Sequence, residues 1–511
     1  MQKHTRLLYF LAALKIIIPY LLQSHVYEPH RDEFLYLAEG HHLAWGFMEV
    51  PPMLSVFAWL THFFGDGIFW IKLWPSLFGA AVFIVAGKIV LSLGGKSFAL
   101  LLLFLPFIFG VYLRLFFLFQ PNSPEVLFWT MMAYGIIRFI QTGKNKWLYL
   151  SGISAGLGMM SKYSVAFYAT SVLIALLFTK NRTLFLKKHF WYASLVGFLI
   201  FLPNLLWQYN RHFPVAHHMQ ELQQTQLQYV NPFDFLKDQL LMNIPCVFIW
   251  LTGLWYVSFS GKAKSYRFVG WSYAIVIVLL LTWHGKNYYS LGVYPVLFAF
   301  GAYQLEQYTL VKRKTLRYVF VSFPVILGTF MLPVALPIFP PQQLASFYIK
   351  AGTQKTGALK WEDLKDHPLP QDFSDMLGWE EMAQKMSKAY ETLDSTEKHN
   401  TILFCDNYGM AGAVTFYAKK YHLPEAYSDN ASFLYWLPEK MHIDNLLLLT
   451  DDPNEMQHDF IKDFSSAGVT DSITTPLARE HGDLIILLKG ANDKFNQLFK
   501  EKIQKDKAAF K

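Results

Sequence analysis

A run of about 20 apolar residues is the length of helix that crosses the hydrocarbon core of a bilayer, and this sequence repeats such runs from its start to residue 338. On that ruler we read about eleven spans, near 7–23, 68–92, 97–119, 123–141, 147–161, 163–179, 189–208, 241–260, 268–284, 289–308 and 318–338. With 53% of 511 residues hydrophobic and only 16% charged, one soluble core does not account for the chain. The expected class is a polytopic α-helical membrane protein. The first run starts basic, "MQKHTRLLYFLAALKIIIPYLL", but no small-residue cleavage site follows, so it reads as an uncleaved span.

The net charge of +8 would suggest nucleic acid in a soluble protein. Here the basic residues fall in short clusters between spans: Lys3/Arg6, Lys96, Lys144/Lys146, Lys180/Arg182/Lys187/Lys188, Lys262/Lys264/Arg267 and Lys312/Arg313/Lys314/Arg317. Each cluster follows an even number of spans, which the positive-inside rule reads as cytoplasmic. Nucleic acid is therefore not a partner. The two cysteines, Cys246 and Cys405, give neither a disulfide framework nor a metal-binding pair.

That polarity leaves the opposite face to "EPHRDEFLYLAEGHHLAWGFMEVPPM", the "QPNSPE" turn, the "SKYS" break, the loop after residue 208 and the "HGKNYYS" turn. The tail lies there too. In it "TILFCD", "NLLLLTDD" and "DLIILLKG" alternate with helix-compatible stretches such as "MAGAVTFYAKKY" and "NEMQHDFIKDF", the pattern of a small α/β domain. We expect two domains, 1–340 in the membrane and 341–511 extracytoplasmic.

Charge near a membrane on the outer face is not asked for by topology, and a centrally placed Lys, Arg or Asp costs about 2.5 to 3.5 kcal/mol on insertion scales. Arg31, Asp32, Glu33, Glu49, Arg114, Lys162, Arg211 and Lys286 stand out on this ground. Acids and bases sharing one edge suit a site that needs a proton acceptor and holds an anion such as a phosphate ester. Structural roles compete with this. Asp32 and Glu33 open a plausible helix and would cap it; Lys162 and Lys286 sit at span ends and could snorkel; Tyr288, Tyr289 and Tyr294 suit interfacial anchors. The adjacent pairs His41/His42 and His217/His218 do not face one metal from a helix.

The same stretches carry a resemblance. "DEFLYLAEGHHLAWGFMEVPPM" resembles the first outer loop of the GT-C-fold glycosyltransferases in the dolichyl-phosphate-mannose protein mannosyltransferase and bacterial aminoarabinose transferase superfamily. "PNSPEVLFWTMMAYGIIRF", "YLSGISAGLGMMSKYSVAF", "PNLLWQYNRHFPVAHH" and "GKNYYSLGVYPVLFAFGAY" look like its successive membrane signatures, and "NYGMAGAVTFYAKKYHLP" like part of its outer domain. The resemblance implies an enzyme of the cytoplasmic (inner) membrane. It would move a sugar from a polyprenyl-phosphate carrier to a glycan, lipid or protein acceptor outside the cytoplasm.

By the resemblance, Asp32 matches the essential acid, Glu33 its companion, and Glu49 the acid before the paired prolines. Lys162 and Lys286 match basic positions near the carrier phosphate; Tyr288 shares the Lys286 motif, and Arg114 is a further candidate for that phosphate. Where the family often has Asp, this chain has Asn122, with Glu125 displaced by one turn. A divalent metal stays open, with Glu49 and nearby histidines as candidate ligands. Asp32 as base and a departing lipid phosphate imply single displacement with inversion. A transporter or flippase of a lipid-linked sugar is the alternative, but it would favour broken spans in two related halves and charges at the midplane. The topology predicts that single-cysteine labelling of intact cells, with Cys246 and Cys405 replaced, modifies positions in 211–235 and in the tail but not in 181–188; the reverse pattern overturns it.

Overall fold

The computed structural model describes residues 2–65, 67–310, 313–353, 357–438 and 441–508; Lys312 of the last basic cluster lies outside the described residues. Its first part is helical: α1 (Gln2–Leu22), α2 (Arg31–Glu39), α3 (Met53–Phe64), α4 (Ile68–Ser92), α5 (Ser97–Phe109), α6 (Tyr112–Leu115), α7 (Asn122–Thr142), α8 (Lys146–Met159), α9 (Val165–Leu177), α10 (Lys188–Asn210), α11 (Pro214–Thr225), α12 (Pro232–Leu241), α13 (Val247–Phe259), α14 (Arg267–Thr282), α15 (Tyr294–Tyr308) and α16 (Leu316–Ala335). Each of the eleven apolar runs contains a helix. Among the described residues five helices are long and apolar enough to cross a membrane, or seven if each of two bent pairs is one span. The difference has local causes. The run 97–119 breaks after Phe109, and the turn at Lys162 leaves α8 and α9 at 14 and 13 residues.

The loops that carry the basic clusters meet at one end of the bundle. His4 bonds Ser97 across 2.8 Å, Asn181 donates to the Ser265 carbonyl at 2.9 Å, and Glu306 accepts from the Lys96 and Ala99 amides at 2.7 and 3.0 Å, capping α5. The candidate site residues gather at the other end.

After α16 the chain continues through α17 (Pro341–Lys350), α18 (Gln371–Ser374), α19 (Trp379–Glu391) and α20 (Ser395–His399) into β1 (Thr401–Cys405), α21 (Tyr408–Tyr421), β2 (Ala426–Tyr427), α22 (Phe433–Trp436), β3 (Asn445–Thr450), β4 (Phe464–Ser472), β5 (Leu484–Ala491) and α23 (Asp493–Ala508). The sheet order is β2-β1-β3-β5-β4, with β2, β1 and β3 parallel and β5 and β4 antiparallel. Its two faces follow the period of two along a strand. Leu447, Leu449 and Ile485 pack with α19 and α21, whereas Leu446, Leu448 and Ile486 pack with Phe495 and Ile503 of α23. The three apolar runs read as strands are β1, β3 and β5. The stretch "NEMQHDFIKDF" forms only short 3-10 turns rather than a helix. Asp452 there accepts from the Asn454 amide and bonds His458, both at 2.8 Å, and such local bonds compete with the helical ladder.

One short helix joins the two parts. Phe34, Leu35 and Ala38 of α2 belong to the apolar core of the α/β region, while Leu37 packs with Leu54 and Ala58 of α3, Ile71 of α4 and Phe119. The start of α2 is a capping box with a histidine at the cap. His30 Nδ1 accepts from the Asp32 amide at 3.1 Å, and Glu33 accepts from the His30 amide at 2.7 Å. Glu33 also accepts from Lys72 of α4, at 2.6 and 2.7 Å, and from the Phe119 amide at 2.5 Å. Both charged side chains are fully buried.

Removing one partner of a buried pair leaves the other charge unpaired, at a cost of about 3 to 5 kcal/mol, whereas replacing both is often close to neutral. Lys72→Met is therefore expected to lower the melting temperature of the purified protein sharply, and the double variant Glu33→Gln/Lys72→Met to recover much of that loss. Melting curves in which the double variant is as unstable as the sum of the singles contradict the pair.

Candidate functional site

Because Glu33 does the capping, Asp32 is left for other work. Its Oδ1 accepts from the Tyr408 hydroxyl at 2.8 Å and its Oδ2 from Gln120 Nε2 at 3.1 Å, with His30 Nδ1 3.9 Å away. About a third of the side chain stays exposed. Gln120 in turn accepts from Asn122 Nδ2 at 3.5 Å, and Asn122 Oδ1 accepts from the Lys162 ammonium. Two amides thus link the acid to a cation. Lys162 lies 3.6 Å from Glu125 and 4.4 and 5.3 Å from the ring centres of Tyr289 and Tyr288. This is not a snorkelling geometry; the ammonium points into a polar and aromatic nest. Glu125 itself is buried and accepts from Ser164 at 2.5 Å.

Lys286 donates to Gln226 at 2.5 Å, and among the described residues no carboxylate lies within 4 Å of it. It lies within electrostatic reach of Lys162 and of Asp372. Tyr288, from the turn after Lys286, feels both Asp32 and Asp372. Burial and the charge of Lys286 push the His218 imidazole down to about 4, so it is neutral. Of the adjacent histidines in α11, this one faces the cluster. Tyr294 turns inward instead of anchoring at an interface and donates to Gln239 at 2.7 Å.

Arg114 reaches the same end but is paired: its guanidinium lies 2.8 Å from Asp372, and that contact holds the Asp372 carboxyl below its ordinary range. Glu49 is a clamp. Its two oxygens accept from the Ser432 amide and hydroxyl, each at 2.7 Å, which fastens the first loop to the α/β region. Burial raises its pKa despite those bonds. Among the described residues the one group of three ligand-type side chains close enough to share an ion is Asp452, Glu455 and His458, and it excludes Glu49. Arg31 stacks on Tyr408 at 4.8 Å and faces Glu480 at 3.8 Å. Arg211 lies over Trp207 and Tyr435 and takes no part in the cluster around Asp32.

Sequence reading missed Lys72, Gln120, Asp372 and Tyr408. Lys72 was detectable: a lysine inside an apolar span needs a partner, and Glu33 was the nearby acid. Asp372 and Tyr408 come from the distant C-terminal part; Asp372 carried no local signal, and Tyr408, although inside the quoted motif "NYGMAGAVTFYAKKYHLP", carried none that pointed to Asp32.

The family described as dolichyl-phosphate-mannose-protein mannosyltransferase matches residues 49–207. No curated protein sequence matches the chain. Among solved structures, ArnT from Cupriavidus metallidurans bound to undecaprenyl phosphate aligns with a TM-score of 0.61 at 12% identity, over 94% of this chain and 97% of that one. The apo state of ArnT gives 0.59 at 12% identity over the same shares. The chain has the GT-C fold, as its motifs implied.

The approach to α2 is fixed by residues 28–31. Glu28 accepts from the Trp379 and Glu380 amides at 2.7 and 3.0 Å, capping α19, and the Arg31 amide donates to the Asp375 carbonyl at 2.9 Å. Burial pushes the Glu28 carboxyl up to about 7. A carboxyl raised on folding stabilises fully below its unfolded value near 4.5 and loses that contribution as pH rises through about 7. Glu28→Gln keeps an acceptor oxygen without the proton. The melting temperature of the variant relative to the unmodified protein is therefore expected to rise between pH 5 and pH 8; a constant difference refutes the shift.

Proposed function

We propose that the protein is an inverting glycosyltransferase that takes a sugar from a polyprenyl-phosphate carrier and attaches it to an acceptor on the outer face of the cytoplasmic membrane. The observation that carries this reading is the link from Lys162 through Asn122 and Gln120 to Asp32, with the ammonium of Lys286, which among the described residues has no carboxylate within 4 Å, beside it. One end holds a cation for a departing phosphate and the other a carboxylate for the incoming nucleophile. The fold it shares with ArnT supports the reading. In this scheme residues 1–340 form the membrane part and residues 341–511 lie outside the cytoplasm.

Asp32 takes the proton of the acceptor hydroxyl or amine as that atom bonds the anomeric carbon. The bond from this carbon to the phosphate oxygen breaks with its electron pair, and the lipid phosphate leaves as an anion. Lys286 and Lys162 stabilise the charge that develops on it. Tyr288 borders the same space, and Arg114, already neutralised by Asp372, contributes less. Glu33 serves by holding α2 in place, since its oxygens are committed to His30, Lys72 and Phe119. No step requires a metal on Glu49.

The test uses purified protein in nanodiscs with polyprenyl phosphates carrying different labelled hexoses and pentoses, scored by release of the carrier phosphate. Asp32→Asn is expected to lower turnover by about 100-fold or more, in line with a positioned acid or base, without changing the melting temperature. Lys286→Ala and Lys162→Ala are expected to weaken donor use well beyond Lys96→Ala or Lys264→Ala at the opposite end. An Asp32→Asn protein that works at the unmodified rate removes the assignment.

A further inference from the structure

The acid assigned as base is gripped by a residue from the far part of the chain. Tyr408 opens α21, and its backbone is fixed: Asn407 caps the helix through the Gly409 and Met410 amides at 3.0 and 3.1 Å, and Asn430 accepts from the Tyr408 amide at 3.3 Å. The ring lies 4.8 Å from the Arg31 guanidinium, whose Nε is 3.8 Å from Glu480. The two helices touch without slack. A Cβ at Gly409 would fall 2.6 Å from Arg31 Cγ, and one at Gly412 would fall 2.8 Å from Phe34 Cβ. The Tyr408 hydroxyl therefore reaches Asp32 from a rigid support.

We propose that Tyr408 is a positioning residue for Asp32, so that the α/β region completes the transfer centre instead of merely covering it; this rests on the reading of Asp32 as the base. Tyr408 on Oδ1 and Gln120 on Oδ2 fix the plane of the carboxylate. A phenol that donates to a carboxylate favours the charged form. When the acceptor's proton arrives on Asp32, that charge is lost and the Tyr408 bond weakens. Tyr408 thus holds the carboxylate in one orientation. The other groups around Asp32 are His30, Arg31 and Tyr36 from its own helix and cap, Gln120 from the segment before α7, and Tyr288 from the turn before α15.

The experiment reads the protonation of Asp32 directly, in full-length protein in nanodiscs, by infrared spectra recorded against pH. The Asp32 band is the one that Asp32→Asn removes, so no substrate is needed. Losing a hydrogen bond to a charged acceptor, Tyr408→Phe is expected to move the midpoint up by about one pH unit. Difluorotyrosine at position 408, a stronger donor of nearly the same shape, is expected to move it down, and Tyr390→Phe, whose hydroxyl bonds the Lys398 carbonyl elsewhere in the α/β region, to leave it unchanged. With a donor that turns over, the acid limb of kcat against pH follows the same shifts while KM for the donor changes little. Equal midpoints in the Tyr408 variants overturn the proposal. Turnover by Asp32→Asn instead overturns the reading of Asp32 as base, and the infrared midpoints still report whether Tyr408 holds it.

Discussion

Glu33 and Lys72 are two opposite charges buried completely, 2.6 Å apart, and the candidate site hangs on them. Burying both ions costs several kcal/mol each before their attraction offsets it, so the pair persists only because its remaining hydrogen-bonding capacity is used. Glu33 supplies that use. It closes the first turn of α2, it binds α4 through Lys72, and it satisfies the Phe119 amide in the irregular segment between α6 and α7. Non-helical backbone at the edge of a membrane bundle must find such partners inside the protein. Lys15, also fully buried, meets the same segment from α1 and donates to the Phe116 carbonyl at 3.4 Å. Gln120 and Asn122, which follow directly, are held where they can link Asp32 to Lys162.

Two adjacent acids of one helix turn have been given different tasks by position alone. Glu33 stands at the third helical position, the one from which a carboxylate can reach back to the cap, and it turns into the protein. Asp32 stands one residue earlier, about 100° around the helix, and turns toward the α/β region. The substitution of Asn at 122 acts on the same balance. An aspartate there would neutralise Lys162, whose other carboxylate, Glu125, already lies 3.6 Å away. The amide accepts the ammonium's hydrogen bond without cancelling its charge.

Much of this was legible in the sequence because its cause is local. The helices of the apolar runs, though not the length of each span, the strands β1, β3 and β5 and the helix at Asp32 follow from runs and periods, and the motifs around Asp32, Lys162 and Lys286 named the fold. The division of labour between Asp32 and Glu33 was not legible, since either acid can cap and only the placement of Lys72 and Tyr408 decides. Arg114 looked like a free cation because its partner, Asp372, lies 258 residues further along the chain. Tyr408 belonged to a recognised motif, yet only the docking of α21 on α2 brings its hydroxyl to Asp32. The stretch after Asp452 was misjudged for the opposite reason: side chains binding their own backbone outcompeted a helix that composition allowed.

The order of residues along the chain adds a consequence for how the protein is made. Glu33 leaves the ribosome before Lys72, on the loop that follows the first span. When α4 enters the lipid it brings a lysine near its first turn, a residue that resists insertion, and the counter-ion is already waiting at that surface. Delivery of α4 and seating of α2 are then one event. A chain in which the acid came later would have to carry the bare ammonium until its partner was translated. Biogenesis and assembly of the candidate site thus share a single ion pair, and a defect at Glu33, which leaves the ammonium bare, would first be felt as a failure of membrane integration.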